Sequence, residues 1–139
     1  VGIRVRQQNE SALKIARFLE NNPLIDSIYY PGLSSHSDHD IAREQMKGFG
    51  GLISFELKGD LSLVRTFINS LNIAQIAPSL GGVETLVSHP ASMAYYDLNQ
   101  EDRSELGIND NLVRLAIGIE DVDDIIQDIE NALDKVTSK

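Results

Sequence analysis

Apolar residues near the start of the chain recur at helical spacing: Ala12, Ile15, Ala16 and Leu19 share one side of a 3.6-residue period, and Asn21-Asn22-Pro23 supplies a stop. The spacing predicts an opening helix. Leu24 to Tyr30 is short, rich in β-branched and aromatic residues, and closed by Pro31-Gly32, which predicts a strand running into a turn. The polar run Ser34 to Asp40 offers hydroxyls and carboxylates as N-caps for a helix over Ile41 to Met46, which Gly48, Gly50 and Gly51 end. Ile53, Phe55 and Leu57 alternate with Ser54 and Glu56, a half-buried strand over Leu52 to Leu57. Gly59-Asp60 turns the chain, and Asp60 caps a helix carrying Leu61, Val64, Phe67, Ile68 and Leu71 on one stripe. Asn72 to Ile76 reads as a strand stopped by Pro78. The stretch through Pro90 and Asn99 to Gly107 reads as irregular, with one helical turn over Gln100 to Glu105. Leu112 to Ile119 is strand-like, and Asp121 caps a last helix with Val122, Ile125, Ile126, Ile129 and Leu133 on one side.

Helices and strands alternating in this way predict a two-layer α/β (α+β) domain: a small mixed or antiparallel four-stranded sheet with helices packed on one face. At 139 residues, 42% hydrophobic and 24% charged, the composition suits one such domain. A net charge of -9 argues against nucleic acid and anionic membranes as partners. Cysteine is absent, which excludes disulfides and thiolate metal sites and makes a cytoplasmic location the expectation. Apolar runs are too short to span a bilayer. The start at Val1-Gly2, without Met or a leader, leads us to expect a piece of a longer protein.

Candidate chemistry gathers in two places. Ser79-Leu80-Gly81-Gly82-Val83-Glu84 is a small-residue turn carrying one hydroxyl, and Arg114 interrupts the apolar strand Leu112-Val113-Arg114-Leu115. Alternation puts Val113, Leu115, Ile117 and Ile119 on one strand face and Leu112, Arg114, Ala116 and Gly118 on the other, so Arg114 points away from the core helices. A guanidinium among apolar neighbours needs an anion, and a carboxylate has the matching planar geometry. That anion is either a ligand or a nearby acidic side chain, and Ser79 is either a site hydroxyl or a turn former. His36 and His39, with Asp38 and Asp40 beside them, read as helix-capping surroundings in preference to a zinc site, and His89 as a loop residue in preference to a proton shuttle. No metal is expected.

Taken together, Ile76 to Thr85, His89-Pro90-Ala91-Ser92-Met93, Gly107 to Leu115 and Gly118 to Ile126 resemble the C-terminal domain of the Cys/Met metabolism pyridoxal-phosphate-dependent enzymes, the cystathionine synthase and lyase family. His36, His39, Ala42, Gln45-Met46 and Gly48 to Leu57 are similar to the same domain further upstream, so the likeness spans nearly the whole chain. Pro78 before Ser79, and Met93-Ala94-Tyr95-Tyr96-Asp97-Leu98, resemble the plant-type cystathionine γ-synthases within the family.

The resemblance implies the small C-terminal, substrate-binding domain of a fold-type I enzyme, here residues 1 to 139, closing over an amino-acid substrate next to a separate N-terminal domain of the same protein. Pyridoxal phosphate would be bound by that N-terminal domain, because Lys14, Lys47, Lys58, Lys135 and Lys139 stand where none is expected to form its Schiff base. Arg114 would grip the substrate α-carboxylate. Ser79 would be the catalytic hydroxyl beside the cofactor-bearing lysine, and Leu80 would join Ser79 and Arg114 at the substrate. The implied reaction is γ-replacement or γ-elimination on homoserine-derived or sulfur amino acids, a γ-synthase first and a cystathionine or methionine γ-lyase second. A noncatalytic amino-acid-binding module is the remaining alternative. The implied assembly is a homotetramer, and the chain alone is expected to be inactive.

Overall fold

The apolar stripe of Ala12, Ile15, Ala16 and Leu19 lies on helix α1 (Gly2–Glu20), and all four side chains are fully buried in the computed structural model, which describes residues 1–137. Asn21 closes the helix by donating its side-chain amide to the carbonyl of Arg17 at 2.8 Å. Strand β1 (Ile25–Tyr29) and helix α2 (His39–Gln45) lead into β2 (Leu52–Leu57) and α3 (Leu61–Ser70). The Asp60 carboxylate caps α3, accepting from the Leu63 amide at 3.0 Å. After β3 (Gln75–Ile76), β4 (Leu86–Ser88) and two short helices, α4 (Pro90–Met93) and α5 (Gln100–Glu105), come β5 (Leu112–Ala116) and α6 (Val122–Thr137). Asp121 caps α6 through the Asp123 amide at 2.9 Å.

The sheet runs β1-β2-β5-β4-β3, antiparallel between all neighbours except the parallel pair β3 and β4. Its inner face packs Ile53, Phe55, Val113 and Leu115 against Val64 and Phe67 of α3, Ile15 of α1 and Ile125 and Ile129 of α6, all in one apolar cluster. Phe55 and Phe67 meet edge to face, with ring centroids 5.9 Å apart. This is the expected two-layer architecture. Among the described residues no helix is long and apolar enough to cross a membrane.

The sheet has five strands where the periodicity predicts four. Strand β4 was hidden because Leu86, Val87 and Ser88 are all buried, which removes the alternation a half-buried strand shows. The strand expected over Asn72 to Ile76 shrinks to its last two residues, because the buried Asp128 carboxylate of α6 accepts from the amides of Asn72 and Ile73, each at 2.8 Å, in place of a neighbouring strand. The strand expected to reach Ile119 ends at Ala116. Beyond it the amides of Gly118 and Ile119 turn to the Thr85 hydroxyl and the Val83 carbonyl. Asp38 occupies the N-cap of α2 without a side-chain cap bond, and its amide donates instead to His36 Nδ1 at 3.1 Å. The turn after His89, read as irregular, is α4, with Pro90 at its start.

Candidate functional site

Strand β5 is the central strand, and its alternation sets the site. Val113 and Leu115 are completely buried in the core, whereas Arg114 projects from the opposite face between Ser54 of β2 and Ser88 of β4, its partners in register. The guanidinium Nη2 donates to the carbonyls of Pro78 at 2.9 Å and Ser79 at 3.2 Å. Arg114 Nε is shielded from solvent and has no hydrogen-bond partner. The ion pairs found among the described residues are Arg43 with Asp40 at 3.2 Å and Arg103 with Asp110 at 2.8 Å, so no carboxylate of this part of the chain neutralises Arg114. The acidic-partner alternative is not realised. Leaving a buried charged donor unpaired costs on the order of 1–3 kcal/mol, and a planar two-oxygen anion removes that penalty best.

Arg114 forms part of the wall of a cavity of about 290 Å³ with Pro78, Ser88, Pro90, Met93 and Tyr95. The cavity is apolar apart from the arginine and the buried Ser88, and helix α4 stands over it on the face of the sheet away from the core. One cation on an otherwise apolar wall suits a small organic acid whose remaining atoms are uncharged.

The loop from Pro78 to Glu84 meets the arginine through backbone. Ser79 contributes its carbonyl, and Leu80 is 53% exposed; neither side chain lines the cavity. The loop is fastened at its far end. Gly82 accepts from Gln8 Nε2 at 2.7 Å, and Val83 accepts from the Ile119 amide at 2.8 Å. The Glu120 carboxylate accepts from the Thr85 amide at 2.6 Å and the Thr85 hydroxyl at 2.8 Å, and that hydroxyl accepts from the Gly118 amide at 2.9 Å. Gly81 takes the positive φ of +77° that the turn requires and faces open space. A close backbone approach occurs at Gly118, where a Cβ would collide with the Val83 carbonyl and the Glu120 carboxylate. Thr85, Gly118 and Glu120 were not singled out by sequence because Glu120 opens an acidic run that reads only as helix capping.

The histidines have structural partners. His39 Nδ1 donates to the Pro31 carbonyl at 2.8 Å, and its ring stacks on Phe49. Among the described residues no group of three or more metal-ligating side chains converges. His89 is buried, and its Nε2 lies 2.8 Å from the Asp110 carbonyl, which only accepts. Nε2 therefore carries the proton, and Nδ1 accepts from the Ser92 hydroxyl at 2.7 Å. Lys14, Lys47, Lys58 and Lys135 are exposed and absent from the cavity wall; Lys139 lies outside the described residues.

Comparison with known proteins places this geometry in context. The model of the family described as Cys/Met metabolism PLP-dependent enzyme matches residues 1–134. Cystathionine gamma-synthase 1, chloroplastic, of Nicotiana tabacum is 52% identical over 134 residues, covering 96% of this chain and 25% of that protein. L-methionine gamma-lyase of Fusobacterium nucleatum subsp. polymorphum is 47% identical over 134 residues, covering 96% of this chain and 34% of that protein. The crystal structure of cystathionine gamma synthase from Xanthomonas oryzae pv. oryzae in complex with cystathionine superposes with a TM-score of 0.93 at 41% identity, over 99% of this chain and 35% of that one. The chain thus spans between a quarter and about a third of the length of these relatives.

Proposed function

Because the chain belongs to the Cys/Met metabolism PLP-dependent enzyme family, we propose that it is the C-terminal substrate-binding region of a transsulfuration enzyme of the cystathionine γ-synthase type, and that Arg114 holds the substrate α-carboxylate. The observation that carries this reading is the place of Arg114, a cation on the wall of an otherwise apolar cavity with no carboxylate partner among the described residues. Two parallel N–H to oxygen bonds fix the position and the plane of a carboxylate together, which a lysine ammonium does not do. The apolar wall of Pro90, Met93 and Tyr95 lowers the polarity beside the guanidinium and so strengthens that ion pair.

The family implies pyridoxal phosphate, which stabilises a carbanion next to the substrate nitrogen. The residues of this chain do not fit the cofactor itself, since no described lysine reaches the cavity to bind its aldehyde. We assign its anchoring, as the family resemblance implies, to an N-terminal domain of the same protein. The exposed Ile76, Leu80 and Val83 form the apolar edge proposed to meet it, and the homotetramer and cytoplasmic location belong to the same reading. The edge stops at Val83, because Thr85, Leu86 and Val87 are buried. The Ser79 hydroxyl, free of partners within the described chain, is the group proposed to orient a substrate or enzyme amine once the domains meet. A γ-lyase is the second reading, favoured by the methionine γ-lyase whose identity is close to that of the synthase.

In the full-length enzyme, Arg114→Ala is expected to raise the KM for the homoserine-derived or sulfur amino-acid substrate about a hundredfold, the loss of a charge-assisted contact. An unchanged KM would remove the assignment. The purified chain alone is expected to form no Schiff base, and a stoichiometric aldimine absorption band on adding pyridoxal phosphate would contradict that.

A further inference from the structure

We propose that Thr85 and Glu120 act as positioning residues, a latch that keeps Arg114 aimed at its carboxylate; the proposal rests on the reading of Arg114 given above. Nine residues separate β3 from β4, and they contain no regular structure. Packing does not hold their tip, because Leu80 and Val83 are each more than half exposed. Apart from Gln8 Nε2, which donates to the Gly82 carbonyl, the segment is held by one short stretch of chain, residues 114 to 120, which grips it at both ends. Arg114 Nη2 donates to the carbonyls of Pro78 and Ser79 at the near end. At the far end the Gly118 and Ile119 amides donate to Thr85 Oγ1 and the Val83 carbonyl, and Glu120 receives both donors of Thr85.

Thr85 is fully buried, and its hydroxyl accepts from Gly118 while donating to Glu120, so no water can take its place without opening the segment. Gly118 admits the Val83 carbonyl only because it has no Cβ. Within this circuit the two carbonyls hold the guanidinium by Nη2, Nε stays shielded, and the Nη1 end has no acceptor among the described residues and is the end left toward a ligand. Releasing the far end frees the carbonyls, and with them the rotamer of Arg114. A carboxylate must then reorder a flexible arginine on binding, so affinity for that group falls.

The test uses full-length enzyme loaded with its cofactor and two unreactive probes measured by calorimetry: L-norleucine, and L-norleucinamide, which lacks the carboxylate charge. Thr85→Val is expected to weaken norleucine about tenfold and leave norleucinamide unchanged, while Thr85→Ser restores norleucine binding. Should Thr85→Val fail to fold, Glu120→Gln takes its place with the same expected split. Equal weakening of both probes means a merely structural role and overturns the latch. Norleucine binding unaffected by Thr85→Val, but lost in Arg114→Ala, overturns the latch and keeps the carboxylate site. Norleucine binding unaffected by Arg114→Ala overturns both.

Discussion

On one face of β5, Val113 and Leu115 are fully buried in the apolar cluster shared with α1, α3, α6 and the neighbouring strands; on the other, Leu112 and Ala116 are nearly as buried, yet Arg114 between them keeps an unpaired N–H. Adjacent residues of one strand thus obey opposite rules. The core face maximises apolar contact and leaves no polar group to satisfy, which is the condition for stability. The arginine face leaves a donor unsatisfied among the described residues, a cost that the proposed carboxylate would offset. In a small sheet, a half-buried cation without a carboxylate partner is therefore the position that points to a ligand.

The comparison breaks first, and most heavily, on the core face. Leu115→Ala is expected to destabilise the purified chain by about 2–5 kcal/mol in urea unfolding followed by circular dichroism, through lost burial and the cavity left behind. A change well below that range would mean the core repacks around β5. Arg114→Ala is the inverse case: the expected hundredfold rise in KM comes with little change in the same unfolding midpoint, since it removes two bonds to carbonyls and one unpaired donor together. A large loss of stability there would turn the arginine from ligand holder to structural brace. The latch variants, with about a tenfold effect on carboxylate binding, refine the same contrast at a distance.

The smallest effect concerns Tyr30, which is buried and donates its hydroxyl to the Gly50 carbonyl at 2.9 Å. Burial pushes its phenol up to about 12 from an ordinary 10.0. The folded state therefore holds its proton more tightly than the unfolded chain. That contribution to stability is fully present below pH 10 and is lost as pH rises from 10 through about 12. Tyr30→Phe is expected to flatten the alkaline fall in stability over that window, and an unaltered slope would place its cause elsewhere.

Most of the fold was legible because its signals are local. The stripes of α1, α3 and α6 and the alternation of β2 are periodic over two turns or several residues, and Asp60 and Asp121 cap where their side-chain chemistry says they should. Arg114 was legible for the same reason: a charge inside an apolar strand is conspicuous. Strand β4 was not, since three buried residues show no period. Residues 72 to 74 were not either, because the carboxylate that takes their amides sits on α6, more than fifty residues away.

By itself the sequence determined which faces would be apolar, that Arg114 would point away from the core helices, and the family to which the chain belongs; each follows from residue order along one element or from linked motifs. Only the tertiary structure decided that no acidic side chain reaches Arg114 among the described residues, that Ser79 meets it by carbonyl and not by hydroxyl, and that Thr85, Gly118 and Glu120 fasten the loop that does so. The reason is physical. A side chain's periodicity is set by its own backbone, but whether a buried charge finds a partner depends on which distant segments the folded sheet brings within about 3 Å of it.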